Sequence, residues 1–324
     1  MIAYVARRVV GALVLTLLVS SMSFVLFWVL PSTDPATLRA GRQATPQLVA
    51  EIRAGLGLNK PIYVQYARYM RRLVFHFDLG YSYQDNYSVR SQIFSRLPAT
   101  ASLAIGAIVL WLILAAVLGT LMALRPGSLL DRLLTVVSLF FISSPVYWLG
   151  LVGLLLFSQD IGLWHLFPGA GTYAPFSSNP AVWASSLVLP WIVLASTYVA
   201  IYARVIRTSL LEVLGHDYIR TARAKGLGEF RVVARHAYRS AMTPIVTLTA
   251  LDLGGLLGGV ILVETIFNIP GIGRLAWESI QVGDLPMIQG TVLVGAFFII
   301  ALNLGADLLY GVLDTRVRPR RAAT

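Results

Sequence analysis

Asp252, Gly255 and Gly259 fall on one sector of a helix inside an otherwise apolar stretch, and Glu264, Asn303 and Asp307 are further polar residues within long apolar runs. A carboxylate at mid-bilayer costs about 2.5–3.5 kcal/mol on insertion scales, so a membrane chain that keeps one there has a use for it. Two uses fit Asp252: a hydrogen bond inside a helix bundle, or direct contact with a solute. For Asp307, close to the end of its run, pairing within the bundle is the reading. Catalysis fits poorly. The four histidines, His76, His165, His216 and His236, lie outside the apolar runs, and no His-Glu-x-x-His is present. Cysteine is absent, which removes disulfides and thiolate metal sites. No Gly-x-x-x-x-Gly-Lys-Ser/Thr loop exists to cradle a nucleotide; Lys225 precedes Gly226 in an Ala/Arg context. The chain is expected to bind no metal or cofactor and to hydrolyse no ATP itself.

The elements that carry these residues follow from composition. Of 324 residues 57% are hydrophobic and 13% charged, about half the charged share of a soluble domain, and the mean hydropathy is +0.73. An apolar helix needs about 20 residues to cross the hydrocarbon layer. Six runs reach that length: residues 9–30, 99–124, 133–157, 186–204, 245–267 and 290–312. The fold class is therefore an all-α integral membrane protein of six transmembrane helices, one domain over 1–324. The first run is too long for a signal-peptide core and lacks a small-x-small cleavage site, so it reads as an anchor.

Basic residues in the short loops set the orientation. Arg7, Arg8, Arg125, Arg132, Arg207, Arg220, Arg223, Lys225, Arg231, Arg235 and Arg239, with Arg316, Arg318, Arg320 and Arg321 after the sixth run, mark cytoplasmic faces. Both termini then lie in the cytoplasm. The segment 31–98 carries nine basic residues but is long enough to be translocated regardless of charge. The net charge of +11 is divided between two sides of a membrane, which argues against nucleic acid as a partner.

The external segment 31–98 has helical punctuation of its own. Thr45 and Pro46 form an N-cap and first turn with Gly55 as the stop, and Asn59 caps a second helix starting at Pro61. It reads as a small helical subdomain, either a lid over the spans or a docking surface. The cytoplasmic segment 207–244 is punctuated more tightly: Gly215 ends the fourth span's extension, Asp217 caps a helix over 218–225, and Gly226 stops it. Glu229 opens a further helix to about Met242, and Pro244 starts the fifth span. A helix of about eight residues is marginal alone in water and needs a surface to lean on. Tyr218, Thr221, Ala222 and Lys225 share the side expected to seat against protein; Arg220, Arg223 and Ala224 share the other. A partner protein's groove suits this capped rod better than lipid headgroups, which gain roughly 1 kcal/mol per cation without requiring a helix.

The segment "DYIRTARAKGL" resembles the cytoplasmic loop of the dipeptide/oligopeptide/nickel permease family of ABC importers. "LGLNKPIYVQYARYM" at 56–70, "RLPATASLA" at 96–104, "ISSPVYWLGL" at 142–151, "VETIFNIPGIGRL" at 263–275 and "GDLPMIQG" at 283–290 extend the resemblance over nearly the whole chain. It implies a type I importer permease bundle in a bacterial or archaeal plasma membrane. It further implies that Tyr218 to Gly226, with Tyr218, Arg220, Thr221, Ala222, Arg223, Lys225 and Gly226, is a coupling helix docked in a separate ATPase that holds ATP and magnesium. The implied partners are a homologous second permease, one or two ATPase subunits and an extracytoplasmic solute-binding protein. Asp252 would then line a pathway with Gly255, Gly259, Glu264 and Asn303, facing the amino terminus of a passing peptide. The family's Glu-Ala-Ala-x-x-x-Gly reads Arg220, Thr221, Ala222 and Gly226 here, without the Glu, and "LPSTDPA" at 30–36 replaces a tighter Leu-Pro-Gly-Asp-Pro turn. Nickel, glutathione or another small solute are alternative cargoes. An ion-gradient transporter is disfavoured because the long external segment has no counterpart in the second half.

Overall fold

The computed structural model describes residues 2–30, 34–41 and 45–313, and these are mostly helical with no β-strand among them. Arg42, the Pro-Ser-Thr of "LPSTDPA" and Arg316, Arg318, Arg320 and Arg321 lie outside the described residues, as does the side chain of Asp307. Backbone proximity divides the chain into two compact units, one built mainly from Met1–Pro98 and Pro270–Leu308, the other from Ala99–Ile269.

The first unit begins with α1 (Ile2–Phe24), which continues as a π-helical turn over Val25–Val29. Short helices follow: α2 (Pro35–Ala40), α3 (Pro46–Leu56) and α4 (Ile62–Arg71). Thr45 caps α3 as expected, its Oγ1 accepting the Leu48 N–H at 3.3 Å. The stop is Gly57 at φ +73° rather than Gly55, because the left-handed residue that closes a helix falls two positions later. Asn59 does not cap α4 either; Pro61 occupies that position. Phe24 carries the contact between α1 and α4, its ring 5.3 Å from Tyr66 and 5.4 Å from Tyr69. Later in the chain, α13 (Ile272–Val282) closes at Gly283 with φ +70°. Asp284 immediately precedes α14 (Leu285–Leu313): its carbonyl accepts the Ile288 N–H at 3.0 Å, and its carboxylate accepts Ser82 Oγ–H at 2.5 Å and the Tyr83 N–H at 3.1 Å. Val89, Ile93, Ile272, Leu275, Met287 and Val294 form this unit's core.

The second unit is a helical bundle. It holds α5 (Val89–Leu124) from Ala99 onward, α6 (Leu129–Ser143), α7 (Val146–Phe157) and α8 (Pro180–Leu214). Then come α9 (Asp217–Ala224), α10 (Glu229–Arg231), a π-helical Val232–Ala237, α11 (Tyr238–Ala241) and α12 (Thr243–Ile266). Leu103, Trp111, Leu187, Leu194, Tyr202, Ile206 and Val263 fill its core.

Among the described residues four helices are long and apolar enough to cross a bilayer: Val5–Val29, Val89–Leu124, Pro180–Leu214 and Leu285–Gly305. The expected third span is not straight, since α6 and α7 meet at 109° and count as one crossing only when taken together. The cause is local. Pro145 has no N–H to donate and forces Ser144 into extended backbone, φ −89° and ψ 126°, while Ser144 Oγ bonds back to the Phe140 carbonyl at 2.8 Å. The expected fifth span coincides with α12, a 24-residue helix that includes side chains outside the described ones.

Candidate functional site

The short helix expected from the glycine spacing is α9, ending with Lys225 as C-cap and Gly226 at φ +77°. Gly226 and Leu227 donate to the carbonyls of Arg223 and Ala222 at 2.9 and 3.4 Å, closing the last turn. Gly215 ends α8 as expected. The N-cap is His216, not Asp217, whose carboxylate is 97% exposed and sits 3.7 Å from Arg220 within the first turn. An acidic residue just inside a helix start still complements the dipole, which is why its position was readable though its capping role was not.

The seating of α9 corrects the expected face. Ile219 is fully buried and Ala222 nearly so, both within the bundle core, while Tyr218, Thr221 and Lys225 are exposed. Burying one large aliphatic residue outweighs burying the partly polar set, and Ile219 is the largest apolar side chain in this otherwise hydrophilic helix. Two further fixings hold the rod. Tyr218 OH bonds Ser240 Oγ at 3.1 Å, and Arg223 forks onto Glu229, Nε to Oε2 at 3.0 Å and Nη2 to Oε1 at 2.6 Å. The Arg223 guanidinium holds the Glu229 carboxyl below its ordinary range. What remains outward is Asp217, Arg220, Thr221, Ala224 and Lys225, with Phe230 just beyond at 87% exposure. Arg220 and Arg223, expected to share the outer face, therefore part company: Arg223 turns to Glu229.

Behind α9, a buried fork fixes the end of α8. Arg207 donates through Nε and Nη2 to the two oxygens of Asp131 at 2.7 and 2.8 Å, and the Gly127 N–H adds a third bond at 2.9 Å. Asp131 is 5% exposed and lies in the first turn of α6, so the turn between α5 and α6 is tied to α8 close to its end at Leu214. The sequence gives no local hint of this pair, which is separated by 76 positions.

The polar residues at lipid depth separate. Asp252 accepts a hydrogen bond from Tyr202 OH at 2.8 Å, the interhelical bond that one of its two readings foresaw. Gly259 faces α8 as well, where a Cβ would meet Leu194 Cδ1 at 3.0 Å, whereas Gly255 is exposed with open space around it. Glu264 is fully buried and accepts Thr100 Oγ1–H at 2.6 Å. Asn303 is exposed on α14, in the other unit. Above Tyr202, Trp111 stacks on Tyr198 with ring centroids 4.5 Å apart, and the Trp111 indole N–H has no hydrogen-bond partner among the described residues.

Among the described residues no group of three His, Asp or Glu is arranged to hold a metal ion. The site is a bundle with a braced, charged rod on its surface, and such an arrangement can receive and transmit a push.

Residues 115–319 match the family described as binding-protein-dependent transport system inner membrane component, and residues 1–104 match the N-terminal region of such membrane components. The chain is similar to the dipeptide transport system permease protein DppB of Escherichia coli, 37% identical over 99% of this chain and 100% of that one. DppB of Alkalihalophilus pseudofirmus is 36% identical over 98% and 100%. A relative from Brucella abortus, provisionally named a peptide transport system permease protein, is 40% identical over 98% and 99%. With both parts of the chain matched and relatives similar from end to end, this protein belongs to the family of binding-protein-dependent transport system inner membrane components.

Proposed function

We propose that this chain is the membrane-spanning permease subunit of an ATP-driven importer of di- and oligopeptides, forming half of the translocation pathway. The relatives named as dipeptide and peptide permeases support the cargo. The observation that carries the mechanism is the bracing of α9, seated through Ile219, tied at its two ends and left charged on its outer face. An eight-residue helix held so firmly transmits displacement rather than absorbing it. Asp217, Arg220, Thr221, Ala224 and Lys225, with Phe230 as an aromatic anchor, form the surface for a separate ATPase, where ATP and magnesium bind. Closure of the ATPase pair pulls α9, and α8, continuous with it through Gly215, moves with the bundle. Both termini and the 207–244 segment are cytoplasmic, and the 31–98 segment faces the solute-binding protein.

In the pathway, Tyr202 holds Asp252 by donating to one carboxylate oxygen, leaving the other to accept from a cationic amine such as a peptide's amino terminus. The partner permease supplies the opposite wall. The test is reconstitution of the chain with its second permease, ATPases and binding protein in sealed vesicles. Uptake of a labelled dipeptide must follow ATP and persist when ionophores collapse every ion gradient; uptake that follows a gradient without ATP overturns the proposal.

A further inference from the structure

The external segment 31–98 holds an excess of positive charge, and four of its nine cations have a partner in the structure. Arg53 pairs with Asp34 at 2.5 Å and Arg96 with Glu278 at 3.3 Å. Arg39 lies 5.9 Å from the Tyr83 ring centre, and Arg90 lies 5.7 Å and 6.0 Å from those of Phe77 and Phe94. Lys60, Arg68 and Arg72 have no carboxylate partner among the described residues, and all three line one cavity of about 60 Å³ in the first unit. Arg68 and Arg72 are one helical turn apart, a spacing at which like charges repel unless an anion sits between them. Gly57 is cut away to admit one of them: a Cβ there would lie 3.0 Å from Arg68 Nη1. One carboxylate, Asp78, also borders the space, and its Oδ1 is occupied by the Gly80 N–H at 2.9 Å.

We propose that this cavity binds the phosphate of an anionic phospholipid headgroup. The size fits, since a water takes about 10–15 Å³ by this measure and the cavity holds roughly five non-hydrogen atoms, a phosphate's worth. A peptide or nucleotide is far too large. The lining fits as well. Phe24 and Trp28 of the first span and Leu293 of α14 line the same space and give it an apolar part. Met22 and Leu26, exposed on the same span, give acyl chains a surface to follow. A free phosphate ion would use the three cations but not this apolar side. The site does not depend on which leaflet it faces, nor on the cargo of the transporter.

The test uses the full chain in nanodiscs of phosphatidylcholine doped with phosphatidylglycerol, with lipid retained after detergent exchange counted by native mass spectrometry. Each cation near an anionic surface contributes about a factor of five, so Arg68→Gln/Arg72→Gln should weaken retention of phosphatidylglycerol over phosphatidylcholine by roughly 30-fold. Arg68→Lys/Arg72→Lys should keep most of it, and Arg71→Gln, whose side chain is not in the lining, should change nothing. Equal retention in wild type and the Gln double variant overturns the proposal. So does displacement of phosphatidylglycerol by millimolar inorganic phosphate, which would assign the cavity to a free anion.

Discussion

Replacing Arg207 by Gln removes two of the three hydrogen bonds to Asp131 and the cation paired with it. The carboxylate that remains is 5% exposed and keeps only the Gly127 N–H. Breaking a buried ion pair from one side costs about 3–5 kcal/mol, because the orphaned charge stays desolvated. Arg207 is itself 29% exposed, so water reaches part of the site and the lower end applies, about 3 kcal/mol. Asp131→Asn leaves a half-solvated guanidinium with an amide oxygen to bond, costing about 1–2 kcal/mol. The double variant pairs two amides and should lose less than the sum, with a coupling of about 1–2 kcal/mol. For a unit of this size 3 kcal/mol lowers a melting midpoint by roughly 6–12 °C. Midpoints of the wild type, both singles and the double in nanodiscs close the cycle. Strictly additive losses, or an Arg207→Gln midpoint within about 2 °C of wild type, refute the reasoning.

Other outcomes follow from the same geometry. Gly226 has open space around it and φ +77°, so Gly226→Val strains the backbone by about 1–2 kcal/mol without a clash. Membrane insertion should hold and the midpoint should fall by no more than about 2–8 °C, while peptide transported per ATP falls; an unchanged ratio counts against the coupling role. Ile219→Ala removes the seat of α9 at a cost of about 2–5 kcal/mol. Hydrogen exchange should quicken across Asp217–Ala224 and leave α8 protected; protection unchanged in both contradicts the seating. Burial pushes the Tyr69 and Tyr83 phenols up to about 12 from 10.0. With raised pKa values, their contribution to stability is whole below pH 10 and is lost as pH rises from about 10 to 12. Ultraviolet titration should show late-ionising tyrosines in the wild type, and a single transition near 10 for all 14 would contradict it.

What the residues disclosed without coordinates was local. Gly215, Gly226, Thr45 with Pro46, and Pro244 announce helix ends because capping acts within a turn or two. Errors also stayed local: Gly55 and Gly57 compete two residues apart, and Asn59 yields to Pro61, whose fixed φ suits a helix start. The bend after Ser144 was legible in principle, since a Ser-Ser-Pro inside an apolar run breaks the ladder at the residue before the proline. Ile219 is surrounded by charges that mask its signal, since one isoleucine in a polar helix itself marks the buried side. The Asp131–Arg207 fork and the Tyr202–Asp252 bond join residues 76 and 50 positions apart, and no spacing rule reaches that far. That Lys60, Arg68 and Arg72 lack a carboxylate partner among the described residues is a matter of contacts across the fold, which no local pattern carries.

The central claim is that α9 delivers force from a separate ATPase. A photoreactive residue placed at Arg220 or Thr221 in the assembled, lipid-reconstituted transporter measures this most directly. Crosslinks to the ATPase subunit that change in yield between nucleotide-free and ATP-trapped states are the result the account predicts. Crosslinks confined to phospholipid, or identical in every nucleotide state, would contradict it.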